Sequence, residues 1–179
     1  MIHLIAQGGN KMWIYIVILG IIWFGLMIPV VQERQAWIVC AHGGTGLFFS
    51  SLLLSLGLHK TGEIADIGWL KIIGFLLFIP AVILMAAAMV AFTQGKLIRT
   101  GIMKIVRHPM YLGTAVAAFA VILVFQSILS AALSVTAIVL LWMAAGLEDD
   151  YNIKQFGNSY KEFMTQVPRW NVFKGLKKG

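Results

Sequence analysis

Residues 108–147 are 40 consecutive positions without one Lys, Arg, Asp or Glu. A bilayer crossing takes about 20 apolar residues, so this run is long enough to cross twice. A chain that crosses twice comes back to the face it left. The run is bracketed by Arg107-His108-Pro109-Met110-Tyr111 before it and Glu148-Asp149-Asp150 after it. A helical hairpin would therefore bring both polar clusters to one membrane face, and that face is where the sequence places the chemistry.

The rest of the chain fits the same solvent. Of its 179 residues, 60% are hydrophobic and 12% charged, with mean hydropathy +0.88. A water-soluble domain carries about 25% charged residues. Apolar blocks at 12–31, 36–58 and 68–92 precede the long run, which breaks best at Gln126-Ser127 into 110–126 and 127–147. The expectation is one membrane domain over 1–179, all-α, with about five transmembrane helices and an amphipathic cytoplasmic tail. Helices follow from the solvent, because an open strand in lipid leaves backbone groups unpaired. The block after Lys11 is too long for a signal-peptide core and is expected to persist as a helix.

If the loop after the third span is cytoplasmic, 11 of the 14 cations lie inside and only Lys11, Lys60 and Lys71 outside. The positive-inside rule selects that orientation, with the N-terminus outside and the C-terminus and both polar clusters in the cytoplasm. The net charge of +7 then belongs to the membrane face and not to nucleic acid. The single cysteine, Cys40, excludes an intrachain disulfide framework and a Cys-based metal site, and its apolar surroundings predict a small buried hydrophobe.

Smaller features read mostly as structure. The stretch His42-Gly43-Gly44-Thr45-Gly46 lacks the strand–loop–helix setting of a phosphate loop. Its small residues are expected to let two membrane helices approach closely, with His42 hydrogen-bonded within the membrane. Lys71 is expected to snorkel. Pro109 suits the first turn of a helix, where its missing N–H is not needed. Gly157 resembles a helix C-cap, and Ser159 with Glu162 a capping box for the next helix. Trp170 and Phe173 beside Lys174, Lys177 and Lys178 suit an interfacial anchor. The three acids at 148–150, at the end of a helix on a basic face, are expected to pair with Lys96, Arg99, Lys104 or Arg107, which makes a pocket bearing both signs of charge. Such a pocket suits a zwitterionic cofactor.

Those residues carry a resemblance. Leu97-Ile98-Arg99-Thr100-Gly101-Ile102-Met103 leads into Val106-Arg107-His108-Pro109-Met110-Tyr111-Leu112-Gly113, and Glu148-Asp149, Phe156-Gly157, Tyr160 and Val167-Pro168-Arg169 follow. In order and spacing this is similar to the isoprenylcysteine carboxyl methyltransferase and phospholipid methyltransferase superfamily of integral membrane enzymes, over about 94–173. The resemblance implies S-adenosylmethionine as cofactor, touched by Lys96, Leu97, Ile98, Gly101, Met103, His108, Tyr111 and Glu148. It further implies Arg107, His108 and Glu148 as catalytic residues, no metal, and a lipid or lipophilic acceptor carrying a carboxylate, amine or thiol. Two positions depart from the family pattern. Met103 stands where a Tyr is usual, and Ala144 stands where prenylcysteine-methylating members have an Arg. The second departure removes the counter-charge for a carboxylate substrate. Together they motivate an alternative reading, a non-catalytic membrane subunit that keeps the fold within a larger protein complex.

Methyl transfer fits the residues that are present. A sulfonium is already an activated donor, so the protein must position and desolvate. If the acceptor must lose a proton, His108 and Glu148 are the candidate bases.

Overall fold

The computed structural model describes residues 14–15, 17–25, 28, 35–57, 63–92 and 100–177. Helix α1 spans Ala36–Gly57, α2 Gly68–Phe92, α3 Pro109–Phe125, α4 Ile128–Phe156, α5 Asn158–Gln166 and α6 Val172–Leu176, with a 3-10 turn at Gly101–Lys104 before α3. Residues 17–25 are also helical. Among the described residues no strand forms; one isolated bridge joins Glu63 to Ser127. The protein is an all-α membrane protein. Among the described residues three helices, α1, α2 and α4, are long and apolar enough to cross a bilayer, and α3 is a shorter apolar helix of 17 residues. At 1.5 Å per residue α3 is roughly 26 Å long. Pro29, His3, His59, Lys11, Lys60, Lys178 and the cations Arg34, Lys96 and Arg99 lie outside the described residues.

The distribution of side-chain size is inverted relative to a water-soluble bundle. The interior is built of small residues: Ala81, Ala117, Ala118 and Ala137 are buried together with Phe48 and Val121. Large apolar side chains of α2, including Trp69, Ile72, Phe75 and Ile79, point outward. In lipid, burying Leu against a neighbour gains little over leaving it in acyl chains, whereas close backbone approach gains dispersion and hydrogen bonds. Glycines mark the closest approaches. A Cβ at Gly113 of α3 would come within 2.8 Å of the Ala81 carbonyl oxygen, and one at Gly74 of α2 within 3.0 Å of the Ala120 carbonyl oxygen. These two contacts lock α2 to α3 near both ends. Between α1 and α4, a Cβ at Gly44 would meet Leu141 at 2.8 Å and the Ala137 carbonyl oxygen at 3.0 Å. About two turns further along the same face, Ser51 Oγ bonds the Ser130 carbonyl at 3.2 Å and Ser134 Oγ at 2.8 Å. His42 Nδ1 lies 2.9 Å from the Ile38 carbonyl oxygen of its own helix. Cys40 is only partly buried.

The hairpin between α3 and α4 turns at Gln126 and Ser127. Gln126 takes a left-handed conformation, φ 47°, and closes α3 as its C-cap. Its side chain exchanges two hydrogen bonds with the backbone of Ile67, each 3.0 Å. Ser127 caps α4 in a reciprocal box with Ser130. Helix α4 then outlasts its apolar stretch, which ends at Leu147, by more than two turns. The acids at 148–150 therefore sit within a continuous helix and not at its end. The reason is that the boundary at Leu147 is one of solvent, and the backbone hydrogen bonding runs through it. Gly157, φ 58°, ends α4 and is also the N-cap of α5, which begins at Asn158 without a side-chain cap. Ser159 is thus inside the first turn of α5, and the anticipated Ser159–Glu162 box does not set its start. Lys71 pairs with Asp66.

Candidate active site

The two ends of the charge-free run meet. Pro109 opens α3 at its first position and His108 is the N-cap residue. This puts His108 at the mouth of the hairpin, facing the stretch of α4 that emerges beyond Leu147. His108 Nδ1 is 3.5 Å from Glu148 Oε2, and His108 Nε2 is 2.9 Å from Asp149 Oδ1. Ionised carboxylates only accept hydrogen bonds. A ring with a carboxylate at each nitrogen is therefore best served by carrying both protons. Burial works against the charged ring, but the hydrogen bonds to Asp149 and Glu148 outweigh it and hold the His108 pKa above the ordinary histidine value.

Asp149, and not Glu148, is the hub of the cluster. It is 1% exposed and collects donors from four residues. Arg107 Nη2 donates to Oδ2 at 2.9 Å and Arg107 Nε to Oδ1 at 3.3 Å. Tyr160 Oη donates to Oδ1 at 2.7 Å. Arg169 Nε donates to Oδ2 at 3.0 Å. Burial and this hydrogen bond to Asp149 push the Tyr160 phenol well above its usual pKa, so it remains a donor. Arg107 spends its remaining nitrogen on the carbonyls of Met164, at 3.1 Å, and Val167. A buried carboxylate with this many charge-assisted bonds ties α3, α4, α5 and the segment after α5 to one point. Of the expected cationic partners, Arg107 takes that role. Lys104 is exposed, and Lys96 and Arg99 lie outside the described residues.

Beside the hub is a cleft lined by Met103, His108, Tyr111 and Glu148 among others. The His108 and Tyr111 rings are stacked, 5.6 Å between centroids and 3° from parallel. Tyr111 also interacts through its hydroxyl with Glu148. Glu148 is the less buried of the two acids, 18% exposed at its side chain. Gly101, φ 58°, opens the 3-10 turn that carries Met103. Gly101 is itself exposed and does not line the cleft. Lys96, Leu97 and Ile98 lie outside the described residues. The cleft thus combines a partly buried carboxylate, flat stacked rings and a thioether side chain at Met103. No group of three or more His, Cys, Asp or Glu side chains among the described residues is arranged to hold a metal ion.

In the sequence Tyr160 and Arg169 had no role at the site, and Asp149 only that of one of three acids expected to pair with cations, which its pairing with Arg107 meets. Three consecutive acids on a helix point about 100° apart, so only the tertiary arrangement decides which one turns inward. Tyr160 and Arg169 stood within the motif that carried the resemblance, and that was the available signal. The C-terminal segment also packs against the backbone that leads into α3. Gly175 of α6 packs on the backbone of Ile105, so closely that a Cβ would come within 1.9 Å of its carbonyl oxygen.

No curated protein and no solved structure matches the chain. The family profile for phospholipid methyltransferases matches residues 69–159, just over half of its length, from the start of α2 to the first turn of α5. The matched stretch contains the hairpin, the stacked His108–Tyr111 pair and both central acids, and the chain belongs to the phospholipid methyltransferase family.

Proposed function

We propose that the protein transfers a methyl group from S-adenosylmethionine to a lipophilic acceptor reached from the bilayer. The observation that carries this reading is the single cleft in which Glu148, His108, Tyr111 and Met103 meet at the hairpin mouth. The chain's family is one of phospholipid methyltransferases, which supports a lipid acceptor. When bound, S-adenosylmethionine supplies an activated methyl group on a sulfonium.

Each residue then has a task that follows from its surroundings. Glu148 is the carboxylate with accessible oxygen, so it binds the cofactor's ammonium or ribose hydroxyls. His108, with a carboxylate at each nitrogen, has no lone pair to offer and acts as a cationic clamp that fixes Glu148. A proton released by the acceptor therefore goes to Glu148 or to water, and not to His108. Arg107, with its donors spent on Asp149 and two carbonyls, is a post that sets the hairpin mouth. The apolar walls exclude water from the transfer. Counting cations supports a cytoplasmic location for the cleft.

Ala144, 0% exposed, bears on the acceptor. No cation stands there to meet a substrate carboxylate, which favours an amine or thiol over a prenylcysteine-type acid. Met103 and Ala144 also keep the second reading in view, a non-catalytic subunit of a larger membrane complex. The two are separated by incubating purified protein with S-adenosylmethionine labelled in its methyl group and mixed lipid vesicles. Methyl transfer predicts label in the lipid fraction, abolished by Glu148→Ala. No incorporation, together with no cofactor retained on purification, would favour the subunit.

A further inference from the structure

Two separate contacts set the height of α6 relative to the bilayer. Trp170, just before α6, stands edge-to-face with Trp142 at 5.0 Å. Trp142 belongs to the charge-free run and lies little more than one turn before its last position, Leu147. Tryptophans collect at the membrane–water boundary, where one end of the ring is apolar and the other wet. Gly175, within α6, packs on the backbone of Ile105, about one turn before Pro109 opens α3. One contact is measured from the end of the apolar stretch of α4, the other from the start of α3. Both put α6 at the plane where the hairpin leaves the bilayer.

The surface that α6 shows at that plane is amphipathic. At about 100° per residue, Phe173, Leu176 and Lys177 share one side of the helix, turned away from Gly175, and Lys174 flanks them. Phe173 is 80% exposed and Leu176 59%, and both lysines are exposed. None of the described acids forms an ion pair with Lys174 or Lys177. Water is a poor neighbour for the two apolar side chains, and an apolar medium is a poor one for the two ammonium groups. A headgroup layer serves both, because its inner edge is apolar and its outer edge polar. Anionic headgroups also supply the counter-charge that the lysines lack among the described acids.

We propose that α6 is a docking surface for anionic lipid headgroups. Phe173 and Leu176 enter the boundary between headgroups and acyl chains, and Lys174 and Lys177 pair with the headgroup charge. The occupant is the membrane surface and not a substrate. None of these four residues lines the cofactor cleft, and the proposal stands whether or not the protein transfers methyl groups.

Hydrogen exchange of the α6 amides, read by mass spectrometry on the full chain in nanodiscs, tests this. Discs of phosphatidylcholine alone are compared with discs that also contain phosphatidylglycerol. Exchange follows the population in which α6 has lifted off. An anionic surface lowers the local pH and slows exchange by itself, so the wild type is compared with Lys174→Gln/Lys177→Gln in the same discs. The wild type should exchange more slowly in the anionic discs by about fivefold for each lysine, the factor that one cation at such a surface supports. In phosphatidylcholine discs the two proteins should match. Phe173→Ser should speed exchange by roughly tenfold or more in both kinds of disc. All three substitutions replace exposed side chains, and the α4 amides in the same spectra should stay as they are in the wild type. Equal exchange by the wild type and the lysine variant in anionic discs would overturn the proposal. So would an unchanged rate in Phe173→Ser, which would mean that α6 is held by the protein alone and its apolar side stays in water.

Discussion

The hairpin of α3 and α4 is tied at both ends, by opposite chemistry. At the turn, Gln126 and Ser127 close it with neutral bonds: two from the Gln126 side chain to Ile67 and a serine capping box. At the mouth, Arg107, His108, Asp149 and Arg169 close it with buried charge. The turn is closed with neutral hydrogen bonds among its described side chains. Burying ions costs several kcal/mol each unless every charge is met, so charge beyond that need is a sign of ligand chemistry. At the mouth the acid left partly accessible is Glu148, 18% exposed at its side chain, and it lines the cleft.

Removing the hub should break the charged end most severely. Asp149→Ala leaves Arg107 and His108 buried without their carboxylate, and the expected loss is about 3–5 kcal/mol. The check is reversible denaturation in detergent. A loss below about 1 kcal/mol would mean that the mouth is held by apolar packing and not by ions.

The next effect falls on the packing of α6 against the segment that leads into α3. Gly175→Ala puts a methyl group into the Ile105 carbonyl and should cost about 1–3 kcal/mol as overpacking does, with weaker cofactor binding. The same substitution at Gly44, on the α1–α4 seam, should cost a similar amount and leave cofactor affinity alone. Titration calorimetry of both variants separates the two regions.

Acidity gives a subtler distinction. His108 has its pKa raised in the folded state. Its contribution to stability is therefore fully present below about pH 6.5, the unfolded histidine value, and is lost as pH rises through the folded pKa. The unfolding free energy of the wild type should decline across that window, and His108→Gln should flatten the slope. An unchanged slope would show that the ring is not the titrating clamp.

The smallest effect belongs to the neutral end. Gln126→Gly keeps the left-handed turn accessible and removes both bonds to Ile67. The expected cost is about 1–2 kcal/mol, by the same denaturation measurement, with no change in cofactor binding.

These contrasts also separate what the sequence carried from what it did not. The hairpin was legible because lipid forbids charge over 40 residues and Gln126-Ser127 is the one adjacent polar pair inside them. Gly157 was legible because a left-handed stop favours glycine. The meeting of His108 with the acids followed from those two facts alone. The identity of the inward acid did not, because Glu148, Asp149 and Asp150 are chemically near-equivalent until α5 and Arg169 fold back upon one of them. That return depends on the bend at Gly157 and the extended backbone at Val167, neither of which has a hydrophobic period to announce it. The continuation of α4 past Leu147 was hidden for a related reason: hydropathy reports the solvent, and the helix ignores the change.

The central claim is that Glu148 and His108 jointly hold one donor molecule at the hairpin mouth. Titration of S-adenosylmethionine into the wild type, Glu148→Ala and His108→Ala by isothermal calorimetry tests it most directly. The account predicts binding by the wild type and a loss of roughly 10- to 150-fold in each variant, the value of a hydrogen bond to a charged group. Undiminished binding in both variants would contradict it.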